Sequence, residues 1–567
     1  MAGRHERRSV RPSRLRRPWV IGLLVLLLVA GVATVTAVLV RSHGSTQAGG
    51  NGGPCSSGVS LSVAAAPAIT PVLTDIAGHW AATHPVIDGA CPTVVVKQTN
   101  AANEESLLEK SNVTVPDIWI PDSAQWVQRL RTDTAGVDSP VQSAWYYPAI
   151  ASSPLVLAVA PGAADALSGV AAKGWPATLA DTSSVRMVDP KANTEGLLAL
   201  LTTQSLVAGP AANPSRALVS TLVDMAKSVL NGPASGFLAL AQKREGAAAF
   251  PASEQEVFSA NADAGSAGNA SATAVYPSGK TLSLDYPVVQ FAPPGGDPAQ
   301  RDAAVAFVNQ LTQGYAQQRL RSAGFRDASG APLTGADPAV GVSDTAVKQL
   351  TIPGPGRVAD ALRVWTAAGR SNRTLAIIDL SGSMSESTGG GQSKIQFAAD
   401  AERAAVDFFP DTSSLGLWGF ANTSQELVPL GPLDASIGGV TRREALATAA
   451  ASLPSRTGGN TALYQTTLDA YETVRSGYDP AAVNSVVVVT DGANTVNSGV
   501  TLDALLGRLR SETDTARPLP IITIAVGGDA DVATLKQISA ASGGTEYTVD
   551  QPSDIRAAYL DAIIKTE

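Results

Sequence analysis

Histidine and cysteine are scarce in this chain, with four and two residues among 567. His5 and His43 flank one apolar segment, which leaves His79 and His84 for the globular part. A spacing of five puts those two on different helix faces, and neither has a nucleophile or metal partner near it in sequence, which argues against a nucleophilic triad. Basic charge is also short. Residues 1–41 hold eight arginines and one glutamate; 41 less 8 leaves 33 basic residues and 49 less 1 leaves 48 acidic ones, so the remainder carries a net charge of −15. Phosphate binding needs a basic footprint, so no nucleic-acid partner is expected. Paired carboxylates stay open as acid–base groups, but the chain is otherwise expected not to be an enzyme.

Charge is missing altogether from Trp19 to Val40, 22 residues that as a helix would span about 33 Å, enough for the hydrocarbon core of a bilayer. Seven arginines precede this run and Arg41 follows it, an asymmetry that places residues 1–18 as a cytoplasmic tail and everything after the transmembrane helix 19–41 outside. A cleaved signal peptide is the alternative, with Ser45-Thr46-Gln47-Ala48 as its small-residue site, although its apolar region would normally run only about 7–15 residues. Residues 42–58, rich in Gly and Ser, read as a flexible stalk. The two cysteines, Cys55 and Cys91, both fall beyond the apolar run, where an extracytoplasmic disulfide is the natural expectation. The chain-entropy model values such a loop of about 37 residues at roughly 4 kcal/mol.

From Val59 onward strands and helices alternate: a strand over 59–64, a helix over Thr70–Ala82, a strand over 93–97. That pattern suggests a parallel α/β sheet. Cys55 and Cys91 each precede a strand, so a parallel pairing would carry them to the same sheet edge. Next come Pro116-Asp117-Ile118-Trp119-Ile120-Pro121-Asp122-Ser123, a strand over 155–159, Val188-Asp189-Pro190 leading into Asn193-Thr194-Glu195-Gly196, a strand over 286–291 and a helix from Ala299 to Thr312. In their order these motifs resemble the type 2 extracytoplasmic solute-binding proteins, over about residues 59–330. The resemblance implies two lobes with a small-molecule solute between them, held at helix N-termini. The matching positions are Thr70, Asp122, Ser123, Asn193, Thr194 and Ser253, each of which would serve equally as a helix cap or turn residue. Trp119, Trp126, Trp145 and Trp175 are candidates for a cleft wall or for core.

Residues 331–356 turn to Ala, Gly, Pro and Asp and read as a linker. A helix over Val358–Ala368 then leads into a second domain, 357–567. Strands are expected at 374–378, 415–420, 485–489, 520–526 and 545–549, and helices at 394–409, 442–453, 462–476, 502–511 and 532–541. This is a doubly wound, Rossmann-like sheet, which binds ligands beyond the carboxyl ends of its strands. Asp379 and Asp491 each follow such an end. Asp379-Leu380-Ser381-Gly382-Ser383, Thr461 in Gly458-Gly459-Asn460-Thr461-Ala462-Leu463 and Asp491 resemble the metal-ion-dependent adhesion site of von Willebrand factor A domains.

That resemblance implies a divalent cation, Mg²⁺ first and Mn²⁺ or Ca²⁺ as alternatives, held by Asp379, Ser381, Ser383, Thr461 and Asp491. It also implies a protein partner whose Asp or Glu completes the coordination. The whole reads as a membrane-anchored extracytoplasmic binding protein with its C-terminal domains outside the cell membrane. The alternative is a transporter-associated solute receptor that uses the second domain for docking.

Overall fold

The computed structural model describes Cys55 and residues 57–549, apart from 111–113, 137–138, 161, 208–215, 231, 233–237, 239–248, 264–271, 292–296, 334–340, 352, 388–390, 497–498 and 528–529. The expected cytoplasmic tail, transmembrane helix and nearly all of the stalk lie outside the described residues. Among the described residues no helix is long and apolar enough to cross a membrane.

Among the described residues the first domain has eleven strands: β1 (Ser57–Ala65), β2 (Ala90–Gln98), β3 (Ile118–Ile120), β4 (Trp145–Tyr147), β5 (Ser153–Val159), β6 (Met187–Val188), β7 (Val229–Leu230), β8 (Phe250–Ser253), β9 (Thr273–Val275), β10 (Ser283–Leu284) and β11 (Val288–Gln290). They form two main sheets, and so two lobes: β2-β1-β3-β11-β4 in the first, and β10-β5-β8 with β9 also on β5 in the second. β1 runs parallel to both β2 and β3, as the strand–helix–strand alternation requires. The helix Thr70–Ala82 starts with a proline in its first turn and buries Val72, Leu73, Ile76, Ala77 and Trp80, one helical face. β5 is buried at every position, and its uninterrupted apolar run is what a two-sided strand needs. Each fully buried Leu or Val of this kind is worth about 1.5–3 kcal/mol.

The chain crosses between the lobes at 148–152, from β4 to β5, and at 285–287, from β10 to β11. Ile150 N donates to Tyr286 O at 3.1 Å, tying the two crossings together. Cys55 and Cys91 are disulfide-bonded.

The stretch expected as a linker is partly tied to the second lobe. Thr281 N donates to Lys348 O at 3.0 Å and Leu350 N to Thr281 O at 2.7 Å. Arg326, fully buried, makes a bidentate ion pair with Glu254 at 2.6 Å on each arm and also reaches Thr345 O. The following helix, Pro355–Gly369, sends Val358, Ala361, Val364, Trp365, Ala367 and Ala368 into the first domain's core. Sequence places it at the head of the second domain; its apolar stripe is spent on the first.

The second domain contributes β12 (Asn372–Asp379), β13 (Ser414–Phe420), β14 (Ser424–Pro432), a short hairpin β15 (Ser436–Ile437) with β16 (Val440–Thr441), β17 (Val483–Thr490), β18 (Ile521–Val526) and β19 (Glu546–Val549). Its main sheet is ordered β14-β13-β12-β17-β18-β19 and is parallel except for β14 against β13. Alternation along β12 feeds two cores. Ala376 and Ile378 pack on one face with Leu417 and Phe397, and Leu375 and Ile377 on the other with Leu463 and Leu505. β14 is the strand the sequence pattern did not announce. Pro429 and Pro432 mask it, and an edge position is where strand prolines are tolerated. The strand order turns back at β12, between its neighbours β13 and β17, and Asp379 and Asp491 sit there at the carboxyl ends of β12 and β17.

Candidate functional site

The second domain's site is built on the tight turn after β12. Asp379 is fully buried, and its two oxygens accept from Ser381 N at 2.7 Å and Thr490 Oγ1 at 2.5 Å. The hydroxyls of Ser381 and Ser383 lie 3.1 Å apart, and Ser383 Oγ donates to Asp491 Oδ1 at 2.8 Å. Residues 457–462 are pinned to this turn by Gly458 N to Leu380 O at 2.7 Å and Gly382 N to Gly459 O at 3.2 Å. Thr461 is buried, and its N–H donates to Thr495 Oγ1 at 2.8 Å. Gly459 has φ +88°, and a side chain there would press on Asn422, whose Oδ1 accepts from Asn460 N. Thr457, the neighbouring threonine, instead accepts from Ser385 Oγ.

Two residues of this site were not legible in the sequence. Thr490 precedes Asp491 and bonds the other carboxylate, Asp379. Lys394 opens the helix Lys394–Phe408; its ammonium is buried 2.8 Å from Asp491 Oδ2 and 3.6 Å from Glu386 Oε2. The signal available was a lysine at the first turn of the helix that follows the Asp379 loop.

The charges test whether a cation suits the site. Asp491 is matched by Lys394, but Asp379 accepts only from neutral donors, and among the described residues it has no ion-pair partner. Burial pushes its carboxyl above the usual range against the pull of the Thr490 and Ser381 bonds, and Asp491 pushes the same way. A buried carboxylate left without a counter-charge, flanked by three hydroxyl side chains and a second carboxylate, is an oxygen set suited to a hard divalent cation.

In the first domain, of the expected positions Asp122 and Thr194 meet between the lobes. Thr194 Oγ1, on the helix Thr194–Val207, donates to Asp122 Oδ1 across the cleft at 2.6 Å, and Trp126 Nε1 donates to Thr194 Oγ1 at 2.7 Å. Asn100 Nδ2 reaches Ala192 O at 3.2 Å. Other expected positions do local work. Thr70 Oγ1 donates to Ala66 O, Asn193 Nδ2 donates to Asp189 O, Ser123 accepts from Gln125 N, and Ser253 forms a reciprocal cap with Glu256. Trp119, Trp126 and Trp175 are core residues, whereas Trp145 is exposed.

Three further acids act with Asp122 on one buried side chain: Glu195, Glu256, Asp285 and Asp122 all raise the Tyr286 hydroxyl, after burial itself. Burial pushes the Asp122 carboxyl up to about 6 although the Thr194 bond pulls it down. Burial raises Glu195 well above its ordinary range, and Glu256 and Asp122 add to the effect.

Residues 61–326 match the model for bacterial extracellular solute-binding proteins, and residues 375–561 match the von Willebrand factor type A domain. Two uncharacterized proteins of Mycobacterium tuberculosis, from strains CDC 1551 and H37Rv, are each 26% identical over 572 residues, covering 94% of this chain and 81% of theirs. Among solved structures, the sulfate-binding protein SubI from Mycobacterium tuberculosis H37Rv aligns at 17% identity and TM-score 0.37, over 53% of this chain and 96% of that one. A von Willebrand factor type A protein from Catenulispora acidiphila aligns at 20% identity and TM-score 0.27, over 35% of this chain and 42% of that one.

Proposed function

This chain joins a bacterial extracellular solute-binding domain to a von Willebrand factor type A domain, and from that pairing we propose an extracytoplasmic binding protein, anchored in the cell membrane by residues 19–41, that captures a protein partner through a divalent cation. The observation that carries the reading is the uncompensated Asp379 beside Ser381, Ser383 and Asp491 at the turning point of the sheet. Asp379, Ser381, Ser383, Thr461 and Asp491 would hold the ion, Mg²⁺ foremost. When bound, the ion supplies residual positive charge and an open coordination position for a partner's Asp or Glu. Within the chain, Thr490 and the Ser381 N–H fix the Asp379 carboxylate, and Lys394 holds Asp491 in place. The role is binding rather than catalysis, with the first domain adding a solute-responsive module.

The test is capture of interacting proteins by the full chain with Mg²⁺ or with a chelator. Capture is expected to disappear with the chelator and with Asp379→Ala. Capture that survives both would reject the metal-dependent reading.

A further inference from the structure

The cleft between the lobes of the first domain is built from acids. Asp122 follows β3 and Asp285 lies at the lobe crossing; Glu195 belongs to the helix Thr194–Val207 and Glu256 to the helix Glu254–Asp263. Among the described residues none of the four has a lysine or arginine partner, in contrast to Glu254 two residues before Glu256, which Arg326 neutralises. Burial raises the carboxyls of both Glu195 and Glu256, and Glu256 raises Glu195 further.

A second observation points into the same space. Tyr286 is fully buried, and among the described residues its hydroxyl has no hydrogen-bond partner. That hydroxyl lies in the field of Asp122, Glu256, Glu195 and Asp285 together. A buried hydroxyl without a partner costs roughly 1–3 kcal/mol. It is repaid when a ligand brings a hydrogen-bonding group.

We propose that this cleft binds an organic cation, whose ammonium or guanidinium N–H groups are held by Asp122, Glu195, Glu256 and Asp285 with Tyr286 Oη beside them. This rests on the solute-binding reading of the first domain and names its ligand class.

Two arguments fix the class. An oxyanion would need free N–H donors at the helix N-termini, and at the helices Ala124–Asp133 and Glu254–Asp263 the chain's own groups have taken them. Ala124 N donates to Asp285 Oδ1 at 2.7 Å, Gln125 N to Ser123 Oγ at 3.2 Å, Gln255 N to Ser153 Oγ at 2.9 Å and Glu256 N to Ser253 Oγ at 3.1 Å. A bare metal ion would need at least three ligand atoms close together. Among the described residues the carboxylates with oxygens within 4.8 Å of one another are Glu105, Glu109 and Asp133, outside the cleft. Acids spread wider than a metal shell suit a polyatomic cation with several N–H groups, each meeting its own carboxylate.

Calorimetric titration of the full chain with 1,4-diaminobutane, arginine and sulfate tests this. At least one of the two cations is expected to bind and sulfate to give no heat, with Glu195→Gln and Tyr286→Phe each weakening the cation at least tenfold. Tyr286→Phe keeps the ring and so guards against loss of fold in the acid variant. Sulfate binding without either cation would overturn the cation assignment and leave a working solute receptor. Silence with all three probes would overturn both, and unchanged cation affinity in both variants would overturn the assignment to this cleft.

Discussion

Lys394 shows how much one buried charge decides. Its ammonium is 3% exposed and balances Asp491, while among the described residues Asp379 has no such balance. Removing one member of a buried pair typically costs roughly 3–5 kcal/mol, because the other charge is stranded. Lys394→Met is therefore expected to lower the melting temperature of the ion-free protein. Mg²⁺ should then raise the variant's melting temperature more than the wild type's, since two carboxylates instead of one would need the ion. Equal Mg²⁺ shifts in the two proteins would mean that Lys394 does not share the site. Glu402 makes a different prediction. It is buried in the helix Lys394–Phe408, and burial alone pushes its carboxyl from 4.5 up to about 7. The fold thus favours the protonated form, so its contribution is complete below about pH 4.5 and is lost as pH rises through 7. Glu402→Gln should match wild type near pH 4.5 and exceed it at pH 8 by on the order of 3 kcal/mol, as denaturant unfolding at the two pH values would measure.

At the scale of elements, the sequence pattern carried most of the second domain. The helix over 532–541 is found at its expected bounds, and the strands and helices expected from 374 onward differ from the structure by a residue or two at their ends. Continuous apolar runs in β12 and β17, as strands covered on both faces need, and 3.6-residue spacing in the helices made this possible. What was not legible depends on contacts distant in sequence. The Thr490 bond to Asp379 spans 111 residues and the Thr194 bond to Asp122 spans 72. No local pattern signals either. The same limit applies to the helix Pro355–Gly369, whose stripe is plain in sequence but whose partner is not. Trp365 is 5% exposed within the first domain's core, so Trp365→Ala should destabilise that domain by roughly 3–5 kcal/mol. Proteolysis is the check. First-domain peptides should be released before second-domain ones, and the opposite order would place the helix's energetic role in the second domain.

For the whole molecule, the Pro355–Gly369 helix runs within three residues into β12, whose far end carries Asp379. Lys227 Nζ, in the first domain, also donates to Asp407 O in the second at 3.0 Å. The two sites proposed above, the acids of the first domain and the Asp379 loop of the second, thus share one connected body. Ligand closure in the first domain has a covalent and packed route to the second, and a solute-dependent change in partner capture is the expected sign of its use. The proposed partner capture depends on the ion. The most direct measurement is titration of the full chain with Mn²⁺ by electron paramagnetic resonance, which counts free ion. The account predicts a bound ion that Mg²⁺ displaces and that Asp379→Ala abolishes; no bound ion in the wild type, or the same bound ion in Asp379→Ala, would contradict it.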